Sequence, residues 1–413
     1  MTDEPRPFSF FNPEVMACPF PHYRRLQREA PVFHDPVTDI YEITGHDLIR
    51  EVAGNTQLFS NKTSRQSSRP PEITMGMMEL YRNEGFLPTN SLLNNDPPDH
   101  RPVRSLVDKA FMPGRMGALR PAVHGEVTAL IDAANAKGEI EFVSEFAIPL
   151  PLNIIADQLG VARTERDTIK QGSDAMIALS DPTTPDDRML EMTRRVIRMQ
   201  HLLAQRIEHA RIHPDETILS VVANGELNGA PVPMDLLIHL FQSILVAGNE
   251  TTTNALGNSM LMLIDRPELF AELAANPERV KPFVEESLRF IAPLQGFYRL
   301  ATADTELAGV PIPKDAVLML RWGAANHDDS VFPCPDQLDL DRPNITKHTT
   351  FGSGIHFCLG NLLARTELYA AFGEITRRWS NVRIVGGRDA AIPAHQFFNQ
   401  GMAKLPIAFD VVS

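Results

Sequence analysis

The feature that most constrains this chain is a lone cysteine set among three glycines, Phe351-Gly-Ser-Gly-Ile-His-Phe-Cys-Leu-Gly, followed at once by a helical pattern running from Leu359 toward Arg378. Glycines at 352, 354 and 360 let a backbone turn without a Cβ clash and come close to a flat, bulky ligand. Cys358 at a helix N-terminus sits where unpaired amides and the helix dipole favour a thiolate. Phe351 can cover the sulfur, and His356 can reach a ligand carboxylate. With ordinary residue frequencies, the six positions Phe351, Gly352, Gly354, His356, Cys358 and Gly360 match by chance in about one window in 10^8. No second cysteine or histidine stands at zinc-ligand spacing. The other cysteines, Cys18 and Cys334, are distant, and an odd total argues against a disulfide framework and for a reducing compartment.

The rest of the sequence predicts a mainly helical body with a smaller β region, an α+β chain of 413 residues forming a single large domain. Apolar periodicity places helices over Pro102–Lys109, Arg120–Ala136, Pro149–Leu159, Glu165–Leu179, Asp187–Ile212, Asp235–Ile264, Pro267–Ala275 and Val280–Phe290. Strand patterns fall at Pro31–His34, Ile40–Ile43, Gly296–Ala303, Glu306–Leu307 and Ala316–Trp322, and again near the C-terminus over about 380–413, so the β region draws on both ends of the chain. Asn61–Asn95 reads as a long apolar loop of the lid or binding type, and Asn326–Thr350 as an irregular loop leading into the cysteine segment.

A net charge of −13 leaves no basic face for nucleic acid, and no Lys/Arg-rich run suggests an anionic membrane. Met1–Tyr23 lacks the charged-then-apolar order of a signal peptide. The longest apolar run, Leu236–Ala247, is too short to span a bilayer, so no membrane anchor is expected and a cytoplasmic location is inferred.

The cysteine segment, with Leu363-Ala-Arg-Thr-Glu-Leu after it, resembles the haem-binding loop of the cytochrome P-450 family. The likeness extends over essentially the whole chain, from near Pro7, and is closest to the soluble bacterial type. It implies that fold, with haem b (iron protoporphyrin IX) between the long central helix and the cysteine-loop helix and Cys358 as iron ligand. Glu286-Ser-Leu-Arg289 looks like the family's paired Glu and Arg, which share a helix face at i, i+3. Arg342, in Leu338-Asp-Leu-Asp-Arg-Pro, matches the second arginine of that structural triad. The meander departs slightly from the family pattern, with Asn326-His-Asp-Asp and Cys334-Pro-Asp336, and Cys334 reads as a spectator.

Asp235–Ile264 would be about 45 Å long. Its middle reads Val246-Ala-Gly-Asn-Glu-Thr-Thr-Thr253. Ala247 and Gly248 are small enough to leave room beside a haem plane, and Thr251 can divert a carbonyl from the helical ladder. Glu250 and Thr251 match the acid and alcohol with which the family delivers protons to dioxygen, a general acid–base role. Thr252 is the rival to Thr251.

The resemblance also implies that His100 and Arg104, one helical turn apart, bind haem propionates together with Arg299 and His356. No nucleotide fingerprint appears and no residues remain for a flavin domain, so electrons come from a separate ferredoxin or flavodoxin. Arg101, Arg104, Lys109, Arg115, Arg120 and Arg365 form the candidate docking patch on a chain expected to be monomeric. Substrate contacts are expected at Ser243, Ala247, Leu294, Phe297, Phe397 and Phe398, in an apolar cavity, while Arg65, Arg69 or Arg82 could pair a substrate carboxylate. The activity implied is hydroxylation or oxidative dealkylation of a small-to-medium apolar molecule. A peroxide-driven haem-thiolate enzyme and a non-enzymatic haem sensor or carrier stay open beside it.

Overall fold

The computed structural model describes residues 8–62, 69–180 and 184–412; Arg65 lies outside them. The chain divides into two compact units. One gathers the N-terminal stretch through Asn61, Val127–Ile148, and Thr251 to the C-terminus; the other comprises Lys62–Glu126 and Pro149–Glu250. The helices Arg120–Asn135 and Met234–Ile264 pass from one unit into the other. Every helix expected from periodicity forms, with ends moved by a residue or two. Proline at the first turn starts Pro267–Ala275, where its missing N–H costs nothing.

In the first unit a five-stranded sheet runs in the order Val32–Asp35, Ile40–Ile43, Val317–Leu320, Phe297–Ala301, Phe59–Ser60. Val317–Leu320 lies parallel to Ile40–Ile43 and antiparallel to Phe297–Ala301, so early and late segments build one sheet. One apolar cluster includes Ile43, Ile49, Phe59, Leu318, Leu320 and Trp322. A second cluster takes in Phe10, Tyr23, Ile40, Met319 and Phe397. Inside the second, the Arg321 guanidinium lies over the rings of Phe10 (4.3 Å) and Phe397 (4.4 Å) and forms a buried fork–fork pair with Glu42 at 2.6 and 2.8 Å. The N-terminal aromatics are therefore part of the core.

The same unit explains how Asn326–Thr350 holds an irregular path. Glu286 and Arg289, both fully buried, pair at 2.7 and 2.8 Å on helix Val280–Phe290, and Arg342 joins Glu286 at 3.2 Å. Arg289 donates onward to the carbonyls of Asn326 (2.8 Å) and Pro335 (2.9 Å), and Arg342 to those of Pro333 (2.7 Å) and Gln337 (2.9 Å). Loop carbonyls that have no ladder to join are thus satisfied by two guanidinium forks. Cys334 is exposed, with φ of 49°; its carbonyl, at 3.4 Å, accepts from Arg342.

In the second unit, Arg166–Ser180 and Met189–Ile212 pack at close range: a Cβ on Gly172 would stand 2.6 Å from that of Met199. The fold corrects the expectation of one long loop over Asn61–Asn95. Residues Pro71–Glu84 form a helix of 14 residues, started by proline and ended at Gly85, with Tyr81 buried. Its Met75-Gly-Met-Met run repeats apolar residues without a 3.6-residue stripe, which hid the helix from a periodicity reading. The residues just after this helix are tied down: Gln200 bonds both the amide and the carbonyl of Phe86, and the Leu87 carbonyl lies 2.6 Å from His239 Nε2 on the long helix. Among the described residues, no helix is long and apolar enough to cross a membrane.

Candidate haem-binding site

The cysteine loop keeps its path by its own bonds. The Cys358 amide donates to the Phe351 carbonyl at 2.8 Å, closing the segment into a compact turn. Gly352 (φ 73°) and Gly354 (φ 70°) occupy the left-handed region that L side chains avoid. A Cβ on Gly354 would also lie 2.6 Å from the Ala53 carbonyl oxygen, so this glycine is required by the protein's own packing rather than by a ligand. At Gly360, by contrast, a Cβ would meet no protein atom within 4 Å. Cys358 is a half-buried thiol that forms no disulfide. The helix beyond it begins at Asn361 with Gly360 as N-cap, so the cysteine stands before the first turn and not in it. The Asn361 side chain bridges that gap, its Nδ2 donating to the Cys358 carbonyl at 2.8 Å.

Around the thiol the surface is apolar and open: Ile355 is 38% exposed, Phe357 42% and Leu362 37%. Phe351 is half-buried with the Arg365 guanidinium 4.2 Å above its ring, and His356 is half-buried. Arg299 is buried on strand Phe297–Ala301, its Nη1 donating to the Tyr298 carbonyl at 2.7 Å. These groups all belong to the first unit.

The long helix Met234–Ile264 carries the other expected chemistry. Gln242, Leu245, Asn249 and Thr252 are buried, whereas Ser243 and Thr251 are half-buried and Ala247 is exposed. Residues 243, 247 and 251 fall on one face at i, i+4 spacing, so the less buried stripe coincides with the small and hydroxylated side chains. Glu250, also half-buried, flanks it. Gly248 has room to spare, the nearest atom to a Cβ there being Ile155 Cγ1 at 3.8 Å. Thr253, next to the rival Thr252, is spent on the Ala147 carbonyl at 3.1 Å.

His100 and Arg104 lie on helix His100–Asp108 in the second unit. Burial first, then the positive charge of Arg104, pushes the His100 pKa down, so the ring is a neutral hydrogen-bonding group. Arg104 pairs with Asp108 at 2.8 Å. The expected docking patch shrinks: Arg115 is held by Glu216 at 2.6 Å and Arg365 by Glu285 at 2.7 and 2.9 Å, leaving Arg101, Lys109 and Arg120 as its exposed members. Arg69 bonds Asp186 at 2.9 Å as well as the Thr184 carbonyl and is only 11% exposed, while Arg82 stays exposed.

Of the residues expected to meet substrate in the first unit, Leu294, Phe297 and Phe398 are half-buried. Leu294 bridges to Asn399, and the Gln295 amide donates to the Phe398 carbonyl at 2.6 Å, fixing the neighbouring turn. Phe397 stands differently. It is buried, 4.2 Å from the Phe11 ring and stacked on Arg321, so it is committed to the core behind that turn. Sequence reasoning does not find Glu285, His348, Asn361 and Tyr369, which gather beside the cysteine loop. A doubled glutamate at 285–286 and an Asn361–Arg365 pair at i, i+4 are the available signals.

The residues of the first unit fit a haem group: a soft sulfur donor, an apolar surface beside it, open space at Gly360, and the buried Arg299, a cation suited to a carboxylate. Comparison with known proteins agrees. The Cytochrome P-450 family model matches residues 182–390. Cytochrome P-450 109 of Bacillus spizizenii is 32% identical over 395 residues, covering 94% of this chain and 91% of the relative. The vitamin D(3) 25-hydroxylase of Pseudonocardia autotrophica is 30% identical over 393 residues, 94% and 93% of the two chains. Among solved structures, cytochrome P-450 CREJ in complex with (4-ethylphenyl) dihydrogen phosphate superposes with TM-score 0.87 at 27% identity, covering 96% of this chain and 98% of that one. A Bacillus megaterium cytochrome P-450 in complex with testosterone gives 0.82 at 28%, over 95% and 99%. With relatives at 30% identity or more spanning nearly its full length and the cysteine loop built as described, this chain belongs to the cytochrome P-450 family of haem-thiolate monooxygenases.

Proposed function

We propose that the protein binds haem b through Cys358 and inserts one oxygen atom from dioxygen into an apolar small-to-medium molecule, by hydroxylation or oxidative dealkylation. The observation that carries this reading is the half-buried thiol of Cys358, its amide hydrogen-bonded to the Phe351 carbonyl, with exposed apolar side chains beside it in the loop. Haem bound there would supply the reductive activation of dioxygen. Cys358 donates electron density through its sulfur, and Phe351 with Gly352 keeps the loop narrow. His100, Arg104, Arg299 and His356 take the propionates as hydrogen-bonding and cationic partners.

On the long helix, Ala247 and Gly248 keep bulk away from the reacting face. The Glu250 carboxyl draws protons from solvent and passes them to the Thr251 hydroxyl, which holds a proton where reduction of dioxygen consumes it. That Thr251 is half-buried while Thr252 is packed away supports this assignment. A peroxide-driven enzyme or a carrier would have no use for the pair. Ser243, Ala247, Leu294, Phe297 and Phe398 contact substrate, and Phe397 backs them from the core.

A relative named as a vitamin D(3) hydroxylase and a neighbour holding testosterone support a polycyclic, largely apolar substrate. Electrons arrive from a ferredoxin or flavodoxin steered by Arg101, Lys109 and Arg120, and the chain works as a cytoplasmic monomer.

Cys358→Ser tests the ligand assignment: the thiolate-type spectrum of the reduced carbon monoxide complex is lost, while Cys334→Ser keeps it. A wild-type protein that bound haem without that spectrum would refute the reading. Titration with steroids, secosteroids and smaller terpenoids, scored by the low-to-high spin shift and product identification, tests the substrate class.

A further inference from the structure

The helix Val280–Phe290 carries two adjacent glutamates with different tasks. Glu286 builds the meander. Glu285 turns to the cysteine-loop helix Asn361–Arg378, where Arg365 donates to both of its oxygens, Nε to Oε1 at 2.7 Å and Nη2 to Oε2 at 2.9 Å. The Tyr369 hydroxyl donates to the same carboxylate, and His348 Nε2 lies 3.2 Å from Oε2. Arg365 thereby lies over Phe351, its Cζ 4.2 Å from the ring centroid, and its Nη1 donates to Asn361 Oδ1 at 3.1 Å. Asn361 in turn donates to the Cys358 carbonyl at 2.8 Å. An unbroken path of hydrogen bonds therefore runs from Glu285 through Arg365 and Asn361 to the backbone of the cysteine, all within one compact unit.

We infer that the Glu285–Arg365 pair is a positioning device that sets the electron affinity of a cofactor bound at Cys358, with Glu285 cancelling the charge that Arg365 would otherwise project onto the sulfur. This inference rests on Cys358 being the iron ligand. The pair is only about one-fifth exposed, with side-chain values of 22% and 18%, so solvent screens it less than a surface ion pair. Burial pushes the Glu285 carboxyl up, yet the bonds from His348, Arg365 and Tyr369 outweigh it and hold its pKa at about 2, so the carboxylate stays charged at any working pH. Groups that hydrogen-bond to a metal ligand tune the metal without touching it.

The two halves of the pair must then act with opposite sign. Glu285→Gln leaves the Arg365 charge uncancelled, favours the reduced state, and raises the one-electron midpoint potential of the haem protein. Arg365→Gln lowers it. Each change is expected to alter the reduction equilibrium by about tenfold, about 59 mV for one electron, and the double variant returns close to wild type. Asn361→Ala, which removes the last bond of the path, lowers the potential by less. Thr366→Ala, on the same helix, where the hydroxyl donates to the Leu362 carbonyl at 2.8 Å, leaves it unchanged. The measurement is spectroelectrochemical titration of substrate-free protein, with the iron–sulfur stretching frequency as a second signature.

Shifts of the same sign in Glu285→Gln and Arg365→Gln, no shift in either, or an equal shift in Thr366→Ala overturn the inference. If Glu285→Gln loses its haem, Arg365→Gln alone decides: a fall supports the device, and constancy or a rise rejects it. The reduced carbon monoxide spectrum, recorded on every sample, separates failure of this inference from failure of the ligand assignment, because it reports Cys358 ligation whatever the potential.

Discussion

Two polar regions of this molecule are built on opposite principles. Around Glu286, every charged side chain is buried and bonded: Glu286, Arg289 and Arg342, none more than 5% exposed, satisfy one another and six backbone groups of the meander. Along the long helix, the Ser243, Ala247 and Thr251 face is left partly unpacked while residues beside it are buried. The first region over-determines a backbone path; the second leaves its side chains only partly covered. Stability and chemistry should therefore separate by mutation, with a large cost where the side chains are fully buried and a small one where they are half-buried.

The sharpest way to break that contrast is at the triad. Arg289→Leu leaves Glu286 as a buried charge without its fork and the Asn326 and Pro335 carbonyls without donors. Loss of one partner from a buried pair costs about 3 to 5 kcal/mol. Urea unfolding should show this as a large drop in midpoint with unchanged slope. A cost below about 1 kcal/mol would mean that the meander is held by something else.

A buried carboxyl sharpens the rule, because among the described residues it makes no ion pair. Glu367, on the cysteine-loop helix, is 2% exposed, and burial alone raises its pKa to about 8. The folded state then binds a proton more tightly than the unfolded one, so stability is full below the unfolded pKa of about 4.5 and falls as pH rises through about 8. Glu367→Gln should match wild type near pH 4 and exceed it by up to about 3 kcal/mol near neutrality. Parallel pH profiles for the two proteins would show that the carboxyl is ionised and paired in the fold.

Much of this was legible in the sequence, for reasons that differ by residue. The cysteine loop is contiguous, so its chemistry is local and can be read from order alone. Glu286 and Arg289 are one turn apart, and periodicity places them on one face. Arg342 required a resemblance, because nothing in composition brings position 342 to 286. The helix Pro71–Glu84 escaped for want of an apolar stripe. Phe397 looked like a pocket residue because aromatic side chains suit both pockets and cores; only the contacts with Phe11 and Arg321 decide between them. Glu285 was overshadowed by the glutamate beside it, and its partners His348, Arg365 and Tyr369 converge only through the fold.

The smallest effect on stability is expected where the effect on chemistry is largest. Thr251 is half-buried, so Thr251→Ala removes fewer buried atoms than a change at a fully buried position and should change unfolding free energy by at most about 0.5 kcal/mol. Thr252 is 3% exposed, and Thr252→Ala removes buried atoms, for about 1 kcal/mol. Their chemistry should rank the other way. A positioned proton donor contributes roughly 10²–10⁴-fold to rate, so Thr251→Ala should still consume electrons yet release reduced oxygen species in place of product. Thr252→Ala should keep electron consumption and product formation coupled. Product formed per electron supplied, measured for both variants with one substrate and one redox partner, decides which hydroxyl is the donor. If Thr252→Ala uncouples and Thr251→Ala does not, the open face of the helix is a packing feature and the proton path runs on its buried side.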